Sequence, residues 1–165
     1  MKKILFLCMA MMTLLVGCGK ENYDDATKIV LSDSGITVDG ENISNDTTSA
    51  VYTANDIIYY EAGKGFTYGE GTTEDEHTAE EAASHTVVHI TKPGRYLLSG
   101  KLSAGQVAID LGEEAEDNPE AVVTLILDGL DINCSVAPAV IFYNVYECGD
   151  KDNATKRCRY KQSRS

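Results

Sequence analysis

Gly94-Arg95-Tyr96-Leu97-Leu98-Ser99-Gly100-Lys101-Leu102, followed by Gly105-Gln106-Val107-Ala108-Ile109-Asp110, has a counterpart further along the chain. The counterpart is Val123-Thr124-Leu125-Ile126-Leu127-Asp128-Gly129-Leu130-Asp131-Ile132, followed by Pro138-Ala139-Val140-Ile141-Phe142-Tyr143. Each passage has a short β-prone run, a Leu-polar-Gly corner, an apolar residue soon after, and a second β-prone run. Laid on one another, Leu98-Ser99-Gly100 matches Leu127-Asp128-Gly129. A recurring strand–corner–strand unit is what a β-solenoid needs, because each coil stacks its strands on those of the next. Meanders and sandwiches share short strands and glycine corners, so the pattern alone indicates an all-β class and leaves the architecture open.

With Ile90-Thr91-Lys92-Pro93 added in front, the run Ile90–Gly100, the run Gly105–Asp110 and the later Leu125-Ile126-Leu127-Asp128-Gly129 resemble a known family. It is the bacterial, clostridial-type family of carbohydrate-binding-domain lipoproteins. The likeness is good over residues 86–145 and weak over 29–50. It implies a right-handed parallel β-helix, related in shape to pectate lyases, that binds cell-wall polysaccharides (cellulose or pectin-like) and calcium. Chains of that family are usually longer, so the resemblance implies an incomplete β-helix, its opening coils only.

Outward from that stretch, the chain starts with Lys2-Lys3, an apolar run over 4–16, and Leu15-Val16-Gly17-Cys18. A basic start, a short apolar segment and small residues before a cut describe an export signal. The run is too short to cross a bilayer comfortably as a mature helix. Leu-Val-Gly-Cys is also a lipobox, which predicts cleavage before Cys18 and a diacylglycerol on its thiol. Two acyl chains, at about 0.8 kcal/mol per buried CH₂, anchor stably. The expected organisation is a signal over 1–17, a polar tether over 18–28, a β-helical domain over 29–148 and a basic tail over 149–165. That tail is expected to be disordered or non-native, because residues 156–165 hold five of the 14 basic residues and no acid.

Ile29-Val30-Leu31 and Gly35–Gly40 are strand candidates, and Val51–Tyr60 is a further one with an interruption at Asn55-Asp56. One short helix is expected over Thr73–Ser84, capped by Thr72 or Thr73. Glu113–Glu120 is an acidic loop whose like charges keep it solvated.

Net charge is −12, and removal of residues 1–17 would leave 12 Lys and Arg against 26 Asp and Glu. That balance argues against nucleic acid, which needs clustered cations. Of five cysteines, Cys8 leaves with the signal and Cys18 takes the lipid. Cys134 and Cys148 could pair, a link worth about 3 kcal/mol at that loop length, or stay buried as thiols.

Asp110, Asp128 and Asp131 fall at strand ends or corners, where stacked carboxylates could hold calcium; turn formation is the plainer role for each. No carbohydrate-binding set is marked, although Tyr59, Tyr60, Phe66 and Tyr68 form the densest aromatic cluster and offer apolar faces to sugar rings. His77, His85 and His89 read as solvated or edge residues, since a strand would hold His85 and His89 about 13 Å apart. No catalytic residue is assigned. A lyase on the same scaffold would need a base, and Arg95 and Lys101 are the basic residues within the repeats. A surface adhesin that only displays loops is the third reading.

Overall fold

A computed structural model of the chain describes residues 23–59 and 78–146. They form nine strands: β1 (Thr27–Leu31), β2 (Thr37–Val38), β3 (Glu41–Asn42), β4 (Val51–Ala54), β5 (Thr86–Ile90), β6 (Gly94–Leu102), β7 (Gly105–Asp110), β8 (Val123–Ile132) and β9 (Val140–Tyr143). One short helix, α1 (Ala79–Ser84), and a 3₁₀ turn over Glu113–Ala115 complete them. The described chain is therefore mostly β, as expected. Thr27 and Lys28 already belong to the first strand.

The strands make two open, mixed sheets, in the orders β3-β2-β1-β6-β8 and β4-β5-β7-β9. From β5 onward the chain alternates between them. It runs β5 in the second sheet, β6 in the first, β7 back in the second, β8 in the first, and β9 in the second. Strands of successive passes pair in parallel: β1 with β6, β6 with β8, β5 with β7, and β7 with β9. At the beginning of the stack, β2 and β4 pair antiparallel with β1 and β5.

Strand alternation explains the core. The rows facing between the sheets are Ile29 and Leu31; Tyr96, Leu98 and Leu102; Val88 and Ile90; Val107 and Ile109, all buried in one cluster. Val87, Ala108, Ile141 and Tyr143 point the other way, off the second sheet, and are covered by Ile57 and Ile58 in a second cluster. The interruption at Asn55-Asp56 thus ends β4 and turns the chain over the outside of its own sheet. Gln106, fully buried, fixes that cover: its Nε2 donates to the carbonyls of Ile58 (2.8 Å) and Pro138 (2.8 Å), and its Oε1 accepts from the Ile58 amide (3.0 Å).

Two local expectations are corrected. The glycines are not corners between strands; Gly100 and Gly129 lie inside β6 and β8 with φ of 89° and 66°. Leu98 does face Leu127, but Gly100 faces Leu130, so β8 carries one extra residue, a bulge, at Asp128-Gly129. The helix begins later than expected. Thr78, not Thr72 or Thr73, caps it, and those two lie outside the described residues. Thr78 Oγ1 accepts from the Glu81 amide (3.2 Å) while Glu81 Oε2 accepts from the Thr78 amide (2.8 Å), a reciprocal capping box.

Candidate functional site

The corner between β6 and β7 is two residues long, Ser103-Ala104, and lies beside the corner that follows β1. Asp33 joins the two. Its Oδ1 accepts from the Ser103 amide (2.7 Å) and its Oδ2 from the Ser103 hydroxyl (2.7 Å), which hold its carboxyl below the ordinary 3.8. Lys101 adds a weaker attraction in the same direction. Asp33 is exposed, so it sits ionised at a rim rather than in the core.

Behind this rim the space between the sheets opens into a cavity of about 480 Å³. Its lining combines the hydroxyl residues Ser32, Ser103, Thr53, Ser84 and Thr86 with the apolar Ile36, Ile43 and Leu102. The register shows why. Thr53 of β4 faces Val88 of β5, and Thr86 is two residues before Val88, so both threonines stand on the inward row of the second sheet. At this margin the apolar row changes to threonine, and the core gives way to a solvated slot. None of the lining residues is basic.

The acids singled out in the sequence do not converge. Asp110 is on β7 in the second sheet and Asp128 and Asp131 are on β8 in the first. Asp110 Oδ1 accepts from the Gly112 amide (2.8 Å) and from Asn144 Nδ2 (3.0 Å), an Asx-type turn role. Asp131 takes the Lys101 ammonium at 2.6 Å and raises its pKa. These three carboxylates do not fit one calcium ion, and no group of three or more His, Cys, Asp or Glu among the described residues is placed to hold a metal.

His85 and His89 are buried rather than solvated. His89 meets Asp56 Oδ1 through Nε2 (2.9 Å) and stacks on Tyr52, with ring centroids 4.6 Å apart. His85 closes the end of α1, its Nδ1 lying 3.0 Å from the Glu81 carbonyl and 2.9 Å from Ser84 Oγ. Arg95 is paired with Asp25 at 2.6 Å. Tyr59 is half-buried against the cluster around Ile57 and Ile58. Cys18, Tyr60, Phe66, Tyr68, His77 and Cys148 lie outside the described residues. Ser32, Asp33, Thr53, Thr86 and Ser103 were not singled out as a site. The signal available was the pair of corners Leu31-Ser32-Asp33 and Leu102-Ser103-Ala104, which share a Leu-Ser opening.

The alternating strands coincide with a family likeness. A family model described as a carbohydrate-binding domain-containing protein matches residues 84–149, from the end of α1 through β9. A protein of the same description from Acetivibrio thermocellus is 41% identical over 61 residues, which cover 36% of this chain and 19% of that relative. No solved structure matches the chain. Over β5–β9, then, this chain is similar to carbohydrate-binding domain-containing proteins.

Proposed function

We propose that this chain is a non-catalytic carbohydrate-binding module of the cell surface, built on a right-handed parallel β-helix and held to the membrane by a lipid on Cys18. The observation that carries the reading is the coincidence of the family match with the strands that alternate between two sheets and pair in parallel. A crossover between parallel strands of one sheet is right-handed in about 98% of cases, which supports the hand. A cavity of hydroxyl and aliphatic walls supports a sugar ligand, because a pyranose has polar edges and apolar faces.

A lyase would need an unprotonated base. The Asp131 carboxylate favours the charged form of Lys101, and Arg95 is tied to Asp25, so neither favours that alternative. An acidic, pectin-like glycan would be repelled by a chain of net charge −12, and calcium is the proposed bridge between the two.

The test is retention of the mature chain on cellulose and on polygalacturonate, with calcium and then with EGTA, after circular dichroism has established β structure. Retention on either is expected, with the second lost in EGTA; a folded chain retained by neither matrix and by no other glycan would overturn the reading. In cells, labelled palmitate should enter the wild-type chain and not Cys18→Ser.

A further inference from the structure

We infer that the cavity beside Asp33 is a site for one terminal, neutral sugar unit of a glycan, and that it excludes uronic acids. The inference rests on the carbohydrate-binding reading and names the place and the class of sugar.

Size comes first. Small-molecule sites run from about 300 to 1000 Å³, and this cavity, about 480 Å³, suits a ligand of one or two rings rather than a length of polymer. Its position agrees, since it opens at a chain corner, at the margin of the intersheet space, and not along a sheet face.

The chemistry comes second. An ionised carboxylate has about four lone-pair sites, and Ser103 uses two of those on Asp33. One site on each oxygen is left, and either can accept from a sugar hydroxyl. Such hydrogen bonds to a charged acceptor are about twice as strong as neutral ones. Thr86, able to donate and to accept, and Thr53, whose hydroxyl donates to the Ser44 carbonyl (3.5 Å) and can still accept, also line the slot, and Ile36 and Leu102 supply an aliphatic surface for the ring's C–H face.

Charge then selects. Asp33 stays ionised and no lining residue is a cation. Lys101, the cation that acts on Asp33, is itself neutralised by Asp131. A uronate carboxylate would therefore meet a fixed negative charge with no partner, and like-charge juxtaposition is strongly rejecting.

The experiment titrates the full mature chain with the methyl glycosides of glucose, galactose and mannose, with methyl galacturonide, and with neutral oligosaccharides of increasing length. Saturable binding of at least one neutral glycoside is expected, with affinity level beyond the second ring and no competition by galacturonide in EGTA. Ala104→Phe, which fills the slot, should abolish it. Asp33→Asn, which keeps an oxygen for Ser103, should weaken the neutral sugar about tenfold and let galacturonide compete. If Ala104→Phe does not fold, Asp33→Asn and the competition decide. Affinity that climbs with every added ring, galacturonide competing equally, or variants that bind as the wild type would each overturn this inference while leaving glycan binding intact. A folded wild-type chain that binds no glycan would overturn the proposed function and this site with it.

Discussion

Leu98 and Leu127 are register partners, the same residue at the same inward position of successive strands, yet one is 0% and the other 61% exposed. Ile109 and Phe142 repeat the contrast in the second sheet, at 0% and 44%. The two ends of the stack differ in what lies beyond the row. At the first end, the short antiparallel strands β2 and β4 lie against β1 and β5, and Ile36 and Val51 close over the core. At the other end, β8 and β9 each have one neighbouring strand among the described residues. In a stacked fold, a row's burial is thus conferred by the next row, and equal side chains carry unequal stability.

The sharpest way to break the contrast is through the glycines. A Cβ on Gly100 would stand 2.2 Å from the Leu31 carbonyl oxygen, whereas a Cβ on Gly129 meets nothing within 4 Å. Both substitutions incur a left-handed backbone penalty, but only Gly100→Ala must also force β1 away. Gly100→Ala should cost about 3–5 kcal/mol, and Gly129→Ala about 1–2 kcal/mol, read from urea midpoints. Equal losses would mean that β1 does not lie against Gly100. Next in size, Leu98→Ala should cost about 2–5 kcal/mol and Leu127→Ala under about 1 kcal/mol. Any ligand, partner or further coil that covers β8 should raise the second value and leave the first alone, so the ratio of the two losses reads out cover over β8.

Gln106 tests a different cover, the one over the outside of the second sheet. Gln106→Leu leaves the Ile58 amide and carbonyl and the Pro138 carbonyl without their side-chain partner, at about 1–3 kcal/mol for a buried group left unsatisfied. Hydrogen exchange should quicken at Ile57 and Ile58 before it does in β6. Uniform loss of protection would mean that this cover and the core open together.

Much of this was legible in local sequence, and the rest was not, for a physical reason. Leu98 and Leu127 were aligned correctly because a parallel stack repeats its inward positions. The bulge at Asp128-Gly129 was not visible, because matching glycine to glycine assumes equal strand lengths. The burial of His89 depends on Asp56 and Tyr52, which lie on a separate, antiparallel strand and the turn after it. The carboxylates Asp110 and Asp131 looked alike on the chain, and only the sheet assignment sends them to different faces. The cavity draws on β4, β5 and two corners, with Asp33 and Ser103 some 70 residues apart, and no spacing rule joins such positions.

The smallest effect is set by acid. Asp25, Asp33 and Asp46 all lie at the first end of the stack, and each is held below the ordinary 3.8. The causes are the Arg95 guanidinium for Asp25, the Ser103 amide and hydroxyl for Asp33, and the Thr48 amide and hydroxyl for Asp46. A carboxyl with a lowered folded pKa contributes stability that is fully present above its unfolded value. That contribution fades as pH falls from about 3.8 through the lower folded value. All three are solvated, so screening keeps the effect small. Urea midpoints at pH 6 and pH 3 should therefore fall more for the wild type than for the Asp25→Asn, Asp33→Asn, Asp46→Asn triple variant, and salt should narrow the gap. Amide protection factors, which allow for the intrinsic slowing of exchange in acid, should fall at pH 3 first in β1, β2 and the Ser103 corner, with those of β8 and β9 unchanged relative to pH 6. Acid loosening that began at β8 and β9 would show that the capped end is not where the carboxylates act, since the well-packed end should be the acid-sensitive one and the open end indifferent.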